Sequence, residues 1–288
     1  MKILIFGASG MLGFALHRTL HDGGLSVIGS IRGAARPASV WADGLSYATG
    51  VNVEDFSAVE SAVDRCKPDV VINAAGAKSL ASVNGDFAGL LAINSVFPRQ
   101  LGELCQTRNI YLVHFSSDGV FSGARGGYVE SMRADAADAY GVSKYLGEMQ
   151  TATALVLRTS LLGRGLVRND SLVDWFLAQS GVVRGYRHSV FSGLPVNEIA
   201  DVLQKMLTTK LRPVGLYHLS APPIAKFELL KLLHAAWSHP VEIEPDDSVV
   251  LDRSLDATLL NAKLGYRPTS WSQLIDRMHA FYEGLETK

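Results

Sequence analysis

The chain has 288 residues, with 27 basic and 28 acidic side chains and a formal net charge of −1 at pH 7. This even balance, without a run of lysines and arginines, argues against nucleic acid or an anionic membrane as a partner. No apolar stretch reaches the roughly 18 residues that would span a bilayer. The two cysteines, Cys66 and Cys105, are far apart and outside any CxxC pattern, which fits a reducing compartment. We therefore expect a soluble, cytoplasmic protein that binds a small molecule.

Strands and helices alternate through the first half of the chain. Short apolar runs rich in β-branched residues predict strands at ILIF, LSVIGS, DVVINAAG, IYLVHFSS and ALVLRTS. Between them, DFSAVESAVDRC and FPRQLGELCQTR have helical periodicity. Strands that are apolar on both faces and separated by helices indicate a parallel sheet covered on two sides. We predict an α/β fold with a doubly wound parallel Rossmann sheet.

The pattern changes after about residue 160, where loops rich in Gly, Pro and aromatic residues follow. This part contains the predicted helices VNEIADVLQKML and AKFELLKLLHAAW and a short predicted strand in GLYHLSA. We predict a sheet domain over residues 1–160, with later returns of the chain to the sheet around 188–215. Residues 161–288 are predicted to form a smaller, mostly C-terminal substrate-binding domain.

Three glycines mark the turn from the first predicted strand into the first helix. Gly7, Gly10 and Gly13 follow ILIF with the spacing GxxGxxG. Glycines here let the backbone turn tightly and approach a pyrophosphate, which free N–H groups and the positive helix end stabilise. The spacing alone is a weak motif, but its position after the first strand indicates dinucleotide binding.

The end of the second predicted strand bears on the choice of cofactor. A site that selects NAD usually has an acid there for the ribose 2′-hydroxyl, whereas a 2′-phosphate requires a cation. This chain has Ser30 and Arg32 at that place, with Arg36 close behind. The pattern favours NADPH and leaves NADH as an alternative, because Arg32 can also be a solvated loop residue.

Tyr140 and Lys144 lie four residues apart in DAYGVSKYLGEM. On a helix this spacing puts both side chains on one face, with about 5–6 Å between their Cβ atoms. A phenol has a pKa near 10, and a neighbouring ammonium group can lower it by about 1–3, which brings proton transfer into reach near neutral pH. The spacing is common on solvated helices, but HFSSDGVFSG supplies hydroxyls at the end of a strand, where open α/β folds bind ligands.

Four motifs occur in order along the chain: GxxGxxG at 7–13, NAAG at 73–76, SSD at 116–118 and YGVSK at 140–144. Together they resemble the extended short-chain dehydrogenase/reductase superfamily, most closely its dTDP-4-dehydrorhamnose reductase branch. The resemblance covers nearly the whole chain, through KPDVVINAAG, SSDGVFSG, YGVSKYLGE, LRTSLLGR, GLYHLSA and DRSLDATLL.

The resemblance implies roles for individual residues. Tyr140 is expected to be the general acid, Lys144 to tune its pKa and bind the cofactor ribose, and Ser117, rather than Ser116, to hydrogen-bond the substrate carbonyl. The residues expected around the cofactor, besides Ser30, Arg32, Tyr140 and Lys144, are Gly7, Gly10, Met11, Leu12, Gly13, Asn52, Val53, Ala74, Ala75, Gly76 and Thr159. The candidates for the sugar pocket are Lys78, Asp118, Val120 and Phe121. Arg253 has two open interpretations, a nucleotide-phosphate contact or a contact that holds the smaller domain.

The expected reaction is NADPH-dependent reduction of the 4-keto group of a nucleotide-linked deoxysugar, without a metal, as in dTDP-rhamnose or surface polysaccharide biosynthesis. A reductase of UDP-N-acetyl-deoxyhexos-4-uloses and an NDP-sugar 4-epimerase are the alternatives within the superfamily. A non-catalytic NADP-binding regulatory subunit is the alternative of another class. The sequence leaves the oligomeric state open, with a homodimer as one candidate.

Position 119 argues against a sugar-nucleotide dehydratase. Dehydratases of this superfamily place an Asp-Glu pair after the catalytic Ser or Thr, because elimination of water needs an acid and a carboxylate base. Here Asp118 is followed by Gly119. Gly119 also departs from the reductase branch, which often has tyrosine at this position, so the shape of the sugar pocket is left open.

Overall fold

The computed structural model of the protein describes residues 1–166 and 171–287. Strands β1 to β12 span, in order, Lys2–Phe6, Ser26–Ser30, Tyr47–Ala48, Val70–Asn73, Tyr111–Phe115, Ala154–Arg158, Leu161–Leu162, Gly181–Phe191, Leu194–Pro195, Gly215–His218, Ile224–Ala225 and Val241–Asp252. Helices α1 to α10 span Met11–Asp22, Phe56–Cys66, Phe87–Leu91, Phe97–Thr107, Ala139–Gly147, Leu172–Leu177, Val196–Thr208, Lys226–Trp237, Thr258–Leu264 and Trp271–Glu286. A π-helical turn, Ala92–Val96, joins α3 to α4.

Seven strands form one parallel sheet in the order β10-β6-β5-β4-β1-β2-β3. Helices cover both faces, so the predicted doubly wound α/β sheet is confirmed. The strand order reverses between β1 and β4, and ligands of such sheets bind in the crevice beyond the carboxyl ends of the strands at this point. This edge is therefore where the site residues are expected.

Two apolar clusters, one on each face, hold the helices to this sheet. On one face Ile5 and Leu16 pack with Leu203 of α7, and on the other Leu4 packs with Val63 and Leu101. The central strands are apolar on both faces because both are covered. This packing fixes the directions in which the strand ends leave the sheet.

The second half of the chain contributes to both layers. β10 lies beside β6 at the edge of the parallel sheet, and α7 packs against α1. A separate sheet with the order β11-β8-β12 packs against α8, around a third apolar cluster that includes Leu229 and Met278. The boundary predicted near residue 160 stays a prediction. Within the described ranges, no helix combines the length and apolar character that a bilayer crossing needs.

Candidate active site

The glycine turn between β1 and α1 opens at the switch point of the sheet. Gly7 has φ +81°, and a Cβ there would lie 2.6 Å from the Ala75 amide nitrogen. A Cβ on Gly13 would overlap the Gly7 carbonyl oxygen. Gly10 is the N-cap of α1 and is exposed, so the first turn of the helix presents its N–H groups outward. The turn therefore has the shape and the dipole direction that an anionic pyrophosphate needs.

The ends of β2 and β3 lie side by side next to this turn. Arg32 is exposed just beyond β2, whereas Ser30 is buried, with 1% of its surface exposed. The Arg36 guanidinium lies 3.5 Å from the Asp43 carboxylate. Three residues were predicted to select a 2′-phosphate. Among them, Arg32 alone is both exposed and without an ion pair to another described residue. The half-buried Asn52 and Val53 follow Val51, whose N–H bonds the Ile31 carbonyl.

The loop after β4 passes across the carboxyl edge of the sheet, next to the glycine turn. Ala74 and Ala75 are half-buried and Gly76 is exposed. The buried Asn94, in the π-helical turn, accepts a hydrogen bond from the Ala77 N–H (2.9 Å) and donates to the Ser143 hydroxyl (3.0 Å). Asn94 thereby ties the β4 loop to α5.

Asn94 was not predicted as a site residue. The sequence carries a signal for it, an asparagine among apolar residues in a helix, but only the fold shows what it contacts. Lys78 is exposed, further along the β4 loop.

Ser117 follows β5 and is nearly buried beside Tyr140. Its Oγ accepts a hydrogen bond from the Gly119 N–H (3.0 Å) and donates to Asp118 Oδ1 (3.2 Å). The Tyr140 ring packs on Gly119, where a Cβ would lie 3.0 Å from the ring Cε1 atom. Because residue 119 is a glycine, the Tyr140 ring can pack next to Ser117. A larger side chain at position 119 would displace the ring.

Ser116 points elsewhere, into a buried ion pair. Its hydroxyl donates to Glu148 (2.7 Å), which also binds Arg158 through two hydrogen bonds of 2.7 Å. The geometry separates the two serines, because only Ser117 faces Tyr140. The ion pair joins the end of α5 to β6, and it was not predicted from the sequence.

Helix α5 positions Tyr140 and Lys144. Its N-cap, Asp138, accepts a hydrogen bond from the Gly141 N–H (2.9 Å), which fixes the first turn. Lys144 is 5% exposed, and its Nζ donates to the Phe115 carbonyl oxygen at 2.7 Å. A Cβ added to Gly76 would lie 3.9 Å from this Nζ, so the ammonium group also lies near the β4 loop. Tyr140, Lys144 and Ser117 thus meet at the same edge of the sheet.

The charge state of Tyr140 differs from the sequence-based expectation. Burial raises the pKa of Tyr140, and the Asp118 and Asp138 carboxylates raise it further, against the Ser117 hydroxyl and Arg253. Lys144 is not among the groups that shift the Tyr140 pKa. The pKa of Tyr140 is therefore raised, opposite to the lowering expected from Lys144, because loss of water around the phenol is the largest effect. Tyr140 is a protonated phenol at neutral pH.

Two of the predicted sugar contacts are wrong. Val120 and Phe121 are both 0% exposed and pack with Tyr128 and Leu255 in a small apolar cluster. The reason is the 3₁₀ turn at Asp118–Val120, which directs the chain after β5 into the protein. Asp118 stays partly exposed at the edge of the site, and Thr159, at the end of β6, is 2% exposed and accepts from the Asp118 N–H.

The second half of the chain brings two cations to the site. Arg253, which follows β12, lies 3.6 Å from the Asp138 carboxylate. Lys226 begins α8, and its pKa is lowered by burial, while Asp118 raises it and Arg253 lowers it further. Lys226 was missed because nothing near it in the sequence indicates that α8 starts beside Asp118.

Burial of Lys144 predicts a pH-dependent stability. Burial lowers the pKa of Lys144 from 10.5 to about 8, against the opposing effect of Glu148. Between these values the native state binds fewer protons than the unfolded state, so its contribution to the free energy of unfolding rises with pH. Relative to Lys144→Met, the wild type should gain about 1–2 kcal/mol between pH 7.5 and 9.5, measured by urea unfolding. Lys205→Met, which removes an exposed lysine, should show no such difference.

A glycine turn at the switch point, with a half-buried tyrosine and a buried serine and lysine at the same edge, defines a protein of the extended short-chain dehydrogenase/reductase class. The chain belongs to the family described as RmlD substrate binding domain, which matches residues 1–279.

Named relatives agree with this family. A dTDP-4-dehydrorhamnose reductase of Burkholderia thailandensis is 30% identical over 153 residues, which cover 53% of this chain and 46% of that protein. A probable dTDP-4,6-dihydroxy-2-methyloxan-3-one 4-ketoreductase of Streptomyces antibioticus is 36% identical over 178 residues, 58% and 55% of the two chains. The chain thus spans about half the length of these curated relatives.

The fold has a close counterpart among solved structures. The dTDP-4-dehydrorhamnose reductase of Bacillus anthracis, solved in complex with NADP, superimposes with a TM-score of 0.80 at 21% identity and covers 98% of this chain and 99% of that one. At this identity the similarity shows the shared fold.

Proposed function

We propose that the protein is an NADPH-dependent reductase of the 4-keto group of a nucleotide-linked deoxysugar, similar to dTDP-4-dehydrorhamnose reductases. The observation that carries the proposal is the placement of the Tyr140 phenol against Ser117 and Gly119, at the carboxyl edge of the sheet that also holds the glycine turn. Named relatives that reduce dTDP-linked keto sugars support the substrate class.

The residues present fit a dinucleotide. The place of a Cβ at Gly7 and Gly13 is taken by neighbouring backbone, so the turn keeps its N–H groups open toward a pyrophosphate. A bound NADPH supplies the hydride. We propose that Asn52 and Val53 flank the adenine, that Ala74, Ala75 and Gly76 lie under the cofactor, and that Thr159 lies near the nicotinamide.

Tyr140 and Ser117 act on the substrate carbonyl. A general acid must hold its proton until the oxygen becomes basic, and the raised pKa of Tyr140 keeps the phenol protonated at neutral pH. Ser117 donates a hydrogen bond to the carbonyl oxygen, and Tyr140 gives its proton to the developing alkoxide. Lys144 binds the cofactor ribose. Asp118 and Lys78 stay candidates for contacts to the sugar, and Arg253 for a contact to the nucleotide phosphate.

The alternatives are distinguished by substrate and cofactor. Asp118 without a following glutamate disfavours dehydration, and the exposed Arg32 favours dissociable NADPH over the tightly held NAD of a 4-epimerase. A UDP-N-acetyl-deoxyhexos-4-ulose reductase would use the same residues. A regulatory subunit would not require Tyr140, Lys144 and Ser117 together. A homodimer and a cytoplasmic location stay predictions.

The test is NADPH oxidation with a panel of dTDP- and UDP-linked 4-keto sugars. We expect turnover with at least one member and an axial or equatorial 4-hydroxyl product, identified by NMR. Cofactor binding without turnover across the panel would favour the regulatory subunit.

Arg32 should set the preference between the two nicotinamide cofactors. Arg32→Ala removes an exposed charge–phosphate contact worth about 1–2 kcal/mol, so the KM for NADPH should rise about 10-fold. The KM for NADH should stay within twofold, because NADH has no 2′-phosphate. Arg65→Ala, an exposed arginine on α2, serves as the control. An equal change for both cofactors would show that Arg32 does not contact the 2′-phosphate.

A further inference from the structure

The Ser117 hydroxyl has a single proton and more than one group that can receive it. Its oxygen already accepts from the Gly119 N–H (3.0 Å), and its proton points to Asp118 Oδ1 (3.2 Å). The Tyr140 phenol is also close enough for this hydroxyl to lower its pKa. A serine that donates to Asp118 has no second proton for a substrate carbonyl.

Side chains from three other elements, two of them cationic, interact with Asp118. Tyr140 of α5 lies beside it, Lys226 approaches from the start of α8, and Arg253 approaches from the end of β12. The Ser160 side chain also lowers the pKa of Asp118. The charge of Asp118 therefore depends on the two cations and on any anion that binds them.

We propose that Asp118 is a positioning residue that controls whether the Ser117 hydroxyl donates to Asp118 or to the substrate carbonyl. The proposal rests on the proposed reductase function. An ionised Asp118 attracts the Ser117 proton and holds it away from the substrate. A protonated Asp118 is a weaker acceptor, and Ser117 is then free to turn to the carbonyl. The Asp118 carboxylate takes up one proton from solvent in this step, while the Ser117 O–H bond stays intact and only the direction of its hydrogen bond changes.

The electrostatics of the site allow this control near neutral pH. Burial raises the pKa of Asp118 to about 6, against the opposing effects of the Ser117 hydroxyl and Arg253. The diphosphate of a nucleotide-sugar that binds Lys226 or Arg253 adds negative charge near Asp118 and raises this pKa further. Substrate binding would thus favour the protonated carboxyl and release Ser117 at the moment when the carbonyl arrives.

The first test follows Asp118 itself and needs no turnover. In protein labelled with ¹³C at aspartate carboxyls, the Asp118 signal, assigned with Asp118→Asn, is titrated from pH 4 to 8. Loss of a hydrogen bond to a carboxylate should raise the Asp118 pKa by about 1 in Ser117→Ala. Ser117→Thr keeps the hydroxyl and should leave the pKa near the wild-type value. An Asp118 pKa that is the same in wild type and Ser117→Ala would overturn the proposal.

The second test is the pH profile of kcat/KM with the best substrate of the panel. The wild type should lose about fivefold between pH 5 and 7.5, as Asp118 ionises and competes for the Ser117 proton. Asp118→Asn should remove this inflection, whereas Asp247→Asn, which removes an exposed carboxylate paired with Arg187, should keep it. An inflection that persists in Asp118→Asn would also overturn the proposal.

The two tests separate the two claims. If no panel substrate reacts, the reductase function fails, and the carboxyl titration still decides whether Ser117 bonds Asp118. If substrates react but Asp118→Asn has the wild-type pH profile, the reductase function stands and the role of Asp118 fails.

Discussion

Tyr140→Phe should abolish NADPH oxidation, with a loss of about 10³-fold in kcat and little change in NADPH affinity. The substitution removes the proton donor and keeps the ring that packs on Gly119, so the site should stay folded. General acid catalysis contributes about 10²–10⁴-fold, and the phenol is the proposed proton donor to the alkoxide. The measurement is single-turnover reduction with the best substrate, together with NADPH binding by fluorescence.

The same helix offers a matched control. Tyr145 lies one turn further along α5 and is 46% exposed, so Tyr145→Phe should retain wild-type kcat. If Tyr140→Phe kept more than a tenth of the activity, another group would have to donate the proton. If both variants lost activity equally, the cause would be disruption of α5 rather than loss of the acid.

Gly13→Ala should weaken NADPH binding by at least about 100-fold. The new Cβ would overlap the Gly7 carbonyl oxygen and lie 2.7 Å from the Gly7 carbonyl carbon, so the glycine turn must move. The N–H groups would then no longer point at the pyrophosphate. Each charge-assisted hydrogen bond that is lost reduces the binding free energy by about 1.5–3 kcal/mol. Crowding of the backbone should also lower the free energy of unfolding by about 1–3 kcal/mol. Calorimetric titration with NADPH and urea unfolding measure the two effects.

Gly284→Ala tests the same change where there is room. Gly284 lies in α10, and a Cβ there meets nothing within 4 Å. Alanine should therefore leave NADPH binding unchanged and stabilise the helix by about 0.5–1 kcal/mol. Wild-type NADPH affinity in Gly13→Ala would show that the turn does not bind the pyrophosphate.

The sequence predicts well those structural features that depend on residues close together in the chain. The glycine turn after β1, the apolar central strands and the shared helical face of Tyr140 and Lys144 are all short-range patterns, and the structure has each of them. The long strands β8 and β12 were not predicted, because polar and apolar residues do not alternate regularly along β8, and Pro245 with the polar residues after it interrupts the short alternating start of β12.

The environment of the site could not be read from the chain. The spacing of Tyr140 and Lys144 shows that they are neighbours. It does not show that the Phe115 carbonyl accepts a hydrogen bond from the Lys144 ammonium group, or that Asp118 and Asp138 lie near the Tyr140 phenol. Val120 and Phe121 were assigned to a sugar pocket from their place after Asp118, while a single 3₁₀ turn buries both. These contacts depend on how distant elements meet, which no local pattern encodes.

The π-helical turn at Ala92–Val96 makes the chain sensitive to its length at this point. Such a turn carries one residue more than a regular helix, and each residue advances an α-helix by about 100°. Deleting one residue before Asn94 would restore a continuous helix from α3 to α4. The amide of Asn94 would then rotate away from Ala77 and Ser143, and the β4 loop would lose its link to α5. The protein could keep its apolar core and still lose the alignment between the β4 loop and α5 at the crevice.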